Sequence, residues 1–215
     1  MNKKYIIAML LYVGILAWTV SSASALAGEI EGIRETESLQ PSIAEKILRF
    51  HILANSDSDT DQSVKQQVRD AVGQMMEPFL ADAAGLEETE AIVQEHLEDI
   101  VDTAETVLAE SGFDYGAEAR LVTAEFPVKT YGPFTFPAGS YRALEITLGE
   151  GGGHNWWCVL YPNMCFRGTV YEVDEESGEV LREVLSAKEY EQVFRSKKYK
   201  VRWKLLEYLR KRGYD

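Results

Sequence analysis

Cys158 and Cys165 are the two cysteines of this 215-residue chain, and His154 stands four positions before the first of them. A thiol beside an imidazole could serve as a nucleophile with its base, whereas two thiols seven positions apart could form a bridge. A bridge needs α-carbons within about 7 Å, and a fully extended segment would hold these two roughly 24 Å apart. Pro162-Asn163 supplies a turn that could bring them back together. A reactive cysteine must be a thiolate in an electropositive, partly exposed setting. Cys158 instead sits between Trp157 and Val159, in a stretch (156–161) aromatic and β-branched enough for a buried strand. The bridge is the preferred reading. The alternative is an extracytoplasmic hydrolase that uses Cys158 with His154 or His51.

Other chemistry finds little support. Only three histidines occur, His51, His96 and His154, and no His-Glu-x-x-His, His-x-His or Cys-x-x-Cys spacing joins them. No metal site, cofactor or catalytic set is expected. The alternation of Asp57, Asp59 and Asp61 is like a calcium loop but lacks the glycine at the sixth position, and Val68 stands where the loop's glutamate would be. Helix capping accounts better for these aspartates. The glycines at 149, 151, 152 and 153 are followed by no Lys-Ser/Thr pair and precede a strand, so they do not form a phosphate loop.

The N-terminus bears on the state of the thiols. Lys3 and Lys4 precede an uncharged, mostly apolar run over 5–20, and small residues with two overlapping Ala-x-Ala sites follow over 21–27. This is the order of a secretory signal. As a helix the apolar run would span about 24 Å, short of the ~30 Å hydrocarbon core. Residues 1–27 are therefore expected to be a signal peptide, with an uncleaved membrane anchor as the alternative, and in either case the rest is expected to lie outside the cytoplasm, where a disulfide persists.

Charge is placed unevenly. The net formal charge is −13, and losing Lys3 and Lys4 with the signal would make it −15. Residues 70–119 hold fourteen Asp or Glu and no Lys or Arg, while residues 188–215 hold ten Lys or Arg against four acids. Such a balance argues against nucleic acid as a main partner. The basic tail could adhere to an anionic membrane surface or pair with the acidic helix.

The elements that must position these groups follow from periodicity. Residues 28–44 are polar and unpatterned and read as a flexible spacer. Leu48, Phe50, Ile52 and Ala54 alternate with Arg49, His51 and Asn55 as in a half-buried strand. Val64, Val68, Ala71, Val72, Met75, Met76 and Phe79 then recur at spacings of three and four, with Pro78 set to kink or end the helix. A second helix is expected over 88–111, with Ile92, Val93, Leu97, Ile100, Val101, Ala104 and Leu108 on one face and Gly112 as its C-terminal cap. Residues 120–129 form a strand whose Pro127 implies an edge or a bulge. A short strand at 134–136 lies between turn signals. Residues 141–148 and 156–161 are expected to pair as an antiparallel hairpin about the glycines, and 169–173 to add a last strand. Residues 188–212 read as a basic amphipathic helix. The order describes an α+β fold: one domain over 45–187, with amphipathic helices on a mainly antiparallel sheet, followed by the basic helix over 188–215.

Two segments together resemble a known family. Leu48-Arg49-Phe50-His51-Ile52-Leu53-Ala54-Asn55-Ser56-Asp57-Ser58, continuing through Asp61-Gln62, Lys65 and Val68-Arg69-Asp70, is similar to the first signature of the stage II sporulation protein R family. Gly149-Glu150 with Asn155-Trp156-Trp157-Cys158-Val159 and Cys165-Phe166 resembles its second, and Thr130-Tyr131-Gly132 with Pro137-Ala138-Gly139 resembles the linking hairpin. Asn163-Met164 departs from the Pro-Leu type pair expected before Cys165, which touches turn geometry rather than identity. The resemblance implies a non-enzymatic signalling protein of endospore-forming bacteria. It would be secreted across the forespore membrane into the intermembrane space, where it triggers a membrane aspartic protease to process pro-sigma-E. A protein that works by being recognised needs a contact surface. Gly153, His154, Asn155 and Trp156 around the glycine loop are the first candidates, and His51, Asn55 and Asp57 at the end of the first strand are the second. Each also has a structural reading, as core for the tryptophan and as helix cap for Asn55 and Asp57.

Overall fold

The computed structural model describes residues 39–81, 83–164 and 175–195. The expected signal peptide, most of the spacer, Cys165, the strand expected over 169–173 and the tail beyond Arg195 lie outside the described residues. From Gln40 onward the chain forms one unit, and it is an α+β domain.

Strand β1 (Leu48–Leu53) leads into helix α1 (Asp59–Leu80). Ser58 caps that helix by accepting the Asp61 amide, and Asp59 and Asp61 place negative charge at its positive end. Val64, Val68, Val72, Met76 and Leu80 recur every four residues, so they share one face, and all are buried; Phe79, expected on that stripe, is instead 45% exposed against the His96 ring. Pro78 lies inside the last turn, two residues before the helix ends.

The second expected helix is two, α2 (Leu86–Glu95) and α3 (Leu97–Glu110). His96 separates them with φ −100° and ψ 16°, outside the helical basin. Its ring lies 4.0 Å from that of Phe79, and its Nδ1 lies 2.7 Å from the Asp99 carboxylate that opens α3. Tertiary packing at one residue thus breaks a pattern that is continuous in sequence. Four strands follow: β2 (Ala117–Phe126), β3 (Lys129–Tyr131), β4 (Phe134–Phe136) and β5 (Gly139–Leu148). After β6 (Asn155–Tyr161) come helices α4 (Glu175–Val184) and α5 (Ala187–Arg195).

The main sheet has the order β2-β5-β1-β6. Strand β1 runs parallel to β5 and antiparallel to β6, and β2 is antiparallel to β5. The expected β5–β6 hairpin is therefore not formed: β1 lies between the two strands, and the glycine-rich connection must pass over its end. The expectation of a half-buried first strand is corrected for the same reason. As a central strand, β1 is covered on both faces and all of Leu48, Arg49, Phe50, His51 and Ile52 are buried. Strand β2, which ends just before Pro127, is the edge strand that this proline required.

Phe50, Ile52, Leu144, Ile146 and Trp156 point from one face of the sheet into the core beneath α1 and α3. The other face carries Arg49, His51, Glu145 and Trp157, with the small β3–β4 hairpin lying over part of it. That hairpin forms its own two-stranded sheet. Phe134 of β4 meets Tyr190 and Phe194 of α5. The helix α5 crosses the boundary expected at 187/188, and its Glu189 binds Lys46 at 2.5 Å and the Ser42 hydroxyl. Residues 40–44 are helical and Ile43 is buried, so the domain begins before the expected end of the spacer.

Candidate functional site

Where β1 ends, residues 54–57 leave the sheet, and the glycine loop wraps around them. The amides of Gly152 and Gly153 donate to the carbonyls of Asn55 and Ala54 at 3.1 and 2.9 Å. The Asn55 side chain accepts the Glu150 amide at 3.0 Å and donates to Asp61 at 3.2 Å. A β-carbon at Gly153 would run into the Ser56 carbonyl, and one at Gly151, whose φ is +63°, would lie 2.8 Å from the Thr147 methyl. The glycines are where they are because two backbones pass in contact.

The far end of the loop is closed by charge. Asp57 takes both the backbone amide and the ring Nδ1 of His154 on one oxygen, each at 2.6 Å. These hydrogen bonds, that from the ring first, hold the Asp57 carboxyl below its ordinary range. Lys65 reaches up from α1 to the His154 carbonyl at 2.7 Å, and its burial lowers the ammonium pKa. Asp61 below accepts from Ser56 and from the Tyr115 hydroxyl, the latter at 2.5 Å. Its carboxyl is lowered first by the Ser56 bond and next by Tyr115. Of the whole cluster, the Asp57 and His154 side chains face solvent, 54% and 84% exposed.

Of the sequence-selected residues, Gly153, His154, Asn155, Asn55 and Asp57 thus come together at one end of the sheet. Trp156 and His51 do not join them at the surface. Trp156 is buried edge-on against the Phe50 ring, at 5.3 Å, on the helix side. His51 is buried on the opposite face, stacked on Trp157 with ring centroids 5.0 Å apart.

The His51 face holds groups that sequence reasoning passed over. A row of register partners runs across all four strands from Arg120 to Glu145 to His51 to Trp157. Arg120 bonds the Glu145 carboxylate at 2.7 Å, and His51 Nε2 lies 3.1 Å from its other oxygen without the alignment of a hydrogen bond. Burial lowers the His51 pKa to about 4; Glu145 opposes the shift, and Arg49 adds to it. Arg49 itself is fully buried in an aromatic box, with Phe126 and Tyr141 at 4.5 and 5.2 Å from its guanidinium carbon. The alternation of β1 put Arg49 and His51 on one face, and that was the available signal. What covers the face is the hairpin at 129–136, eighty residues later.

The geometry does not assemble a thiol–imidazole pair. Cys158 is buried on the helix side, opposite Phe50 in the register, while His51 lies on the other face of the sheet. His154 is turned outward onto Asp57. Cys158 thus lacks the electropositive, accessible surroundings of a nucleophile.

Comparison with known proteins places this geometry in context. A family profile described as Stage II sporulation protein R matches residues 44–171. The chain is 36% identical over 164 residues to Stage II sporulation protein R of Bacillus subtilis (strain 168), covering 74% of this chain and 70% of that protein. No solved structure matches. The matched region contains both interlocked segments, residues 54–57 and 149–155.

Proposed function

The chain belongs to the stage II sporulation protein R family, and on that premise we propose that it is a secreted signalling protein that acts by being recognised. In this reading it is exported across the forespore membrane into the intermembrane space. There it activates a membrane aspartic protease of the mother cell, which processes pro-sigma-E. The protein is an activator and carries out no bond chemistry of its own.

The observation that carries the proposal is the interlock of the two family segments. They meet at one end of the sheet, where Gly152 and Gly153 bond Asn55 and Ala54, Asn155 pairs with Leu53, and the Asp57–His154 pair is left exposed. A rigid, hydrogen-bonded loop of this kind suits recognition, because little further ordering is lost on binding. We assign receptor contact to this end of the sheet. For its partner to be activated, the partner's active state must bind this surface better than its inactive state.

The export signal over 1–27 and a Cys158–Cys165 bridge belong to the same proposal. Support for the bridge comes from the turn after β6, in which the Met164 amide donates to the Val159 carbonyl at 3.2 Å. That bond brings the residue before Cys165 beside the residue after Cys158. The basic residues beyond Arg195 would add affinity for an anionic membrane surface. Flotation of the protein with anionic vesicles at low and high salt tests that part, and no binding at low salt contradicts it.

Co-expression with the membrane protease and the sigma precursor tests the function. Processing is expected with the wild-type chain and to be reduced by His154→Ala. A His154→Ala protein that is stably secreted and fully active would remove the loop as the contact surface.

A further inference from the structure

Among the described residues, the buried side-chain nitrogens without a hydrogen-bond partner are Arg49 Nη1 and the two ring nitrogens of His51. They lie two positions apart on the same face of β1. His51 answers its burial by staying neutral, as its lowered pKa shows. Arg49 has no such recourse, because a guanidinium does not give up its proton in a protein. Its Nε donates to the Cys158 carbonyl at 2.9 Å and its Nη2 to the Tyr131 hydroxyl at 3.1 Å, and among the described residues no carboxylate pairs with it. A buried, unpaired cation is costly, and an apolar side chain of similar length would fill such a box at no such cost. The rings of Phe126, Tyr131, Phe136 and Tyr141 offset part of that cost through cation–π contact, but they leave Nη1 without an acceptor.

The cover over Arg49 is held to the main sheet by side-chain contacts rather than by a strand ladder. Strands β3 and β4 are three residues each and, among the described residues, pair with each other and with no other strand. Tyr131 and Phe136 of this hairpin close one side of the box, while Phe126 and Tyr141 of the main sheet close the other. No backbone ladder joins hairpin to sheet, so lifting it breaks side-chain contacts and leaves both sheets intact. Lys129 at its base lies over the Trp157 ring at 5.7 Å, and Arg120 stands on the same face, so cations border the box in a chain of net charge −13.

We infer that the β3–β4 hairpin covers a carboxylate-binding site built on Arg49, and that its occupant is an aspartate or glutamate side chain of a partner polypeptide. With the hairpin displaced, the Nη1 and Nη2 edge presents two parallel donors, the geometry that a carboxylate takes up in a bidentate pair. A doubly charged phosphate would lose far more hydration in an aromatic-lined box than a singly charged carboxylate does. The inference rests on the reading of this chain as a ligand recognised by another protein, and it names the chemistry of one contact.

The test is a titration of the full-length protein with a tri-glutamate peptide, followed through the Arg49 Nε–H and Trp157 indole N–H resonances. Saturable shifts are expected with tri-glutamate and none with tri-lysine. Arg49→Met should abolish them while keeping the melting temperature. Arg49→Lys, which keeps the cation but not the fork, should weaken binding about tenfold and carries the test should Arg49→Met not fold. No saturable shift, or an unchanged shift in either variant, overturns the inference. A wild-type chain that drives sigma-precursor processing without these shifts overturns this site alone. A chain that shows them without driving processing contradicts the proposed function and leaves the site standing.

Discussion

His154 and Asp57, ninety-seven positions apart, are joined twice: the backbone amide and the ring Nδ1 of the histidine both reach one Asp57 oxygen at 2.6 Å. This contact pins the end of the glycine loop to the start of α1, so the edge of the sheet that carries β6 and the helical layer meet there. The pair is exposed, so its value lies in fixing the shape of the surface rather than in stability.

Gly153→Ala tests the interlock. Its β-carbon would meet the Ser56 carbonyl, a backbone atom that cannot swing aside. The variant is expected to lose about 1–3 kcal/mol, read as a lower urea midpoint at unchanged slope. A midpoint equal to wild type would show that the loop does not sit against residues 54–57.

His51 should make stability depend on pH. Its folded pKa, about 4, lies below the ordinary 6.5, so the unfolded chain binds the proton more readily between those values. His51 therefore makes no demand on stability above pH 6.5 and costs progressively more as pH falls toward 4, up to on the order of 3 kcal/mol. Glu145, Arg49 and Arg120 face the ring and set the size of the effect. His51→Gln should flatten the stability curve between pH 6.5 and 4, and an unchanged curve would place the ring in water.

Glu189 fastens the C-terminal helix. Burial works against its ionisation, yet bonds from Lys46, Ser42 and Ser186 prevail and hold the carboxyl at about 2. A depressed carboxyl stabilises above its unfolded pKa, near 4.5, and that contribution fades as pH falls toward 2. Glu189→Gln should cost about 1–3 kcal/mol and open the segment before Ala187 to limited proteolysis. Protection equal to wild type would mean that α5 is held without the Glu189 carboxylate.

The state of the cysteines separates the scaffold reading from the enzyme reading. Alkylation of the secreted protein should add nothing to its mass before reduction and two adducts after. Reduction should also cost roughly 2.5 kcal/mol for so short a loop. Two adducts without reduction would remove the bridge.

How much of this could be read from the sequence differs from residue to residue. The helical stripe of α1 and the presence of a cap before it are legible because both depend on neighbours within a turn, but the capping side chain is Ser58 and not Asn55 or Asp57, as the sequence suggested. The two family segments, far apart in the chain, meet at one end of the sheet. Sequence did not give the order of the strands: β5 and β6 are adjacent in the chain, and only the fold places β1 between them. It did not distinguish Trp156 from Trp157 either, because alternation says that two neighbours face opposite ways but not which face the helices cover. Arg49 was hidden for a related reason. A charged residue on an alternating strand reads as solvent-facing until a distant hairpin covers it.

The central claim is that this chain acts outside the cell interior by being recognised. The most direct measurement is sigma-precursor processing in cells carrying the membrane protease together with the whole chain, with the chain lacking residues 1–27, or with neither. Processing with the whole chain only is the predicted result. Equal processing by the form lacking residues 1–27, or without the chain at all, would contradict it.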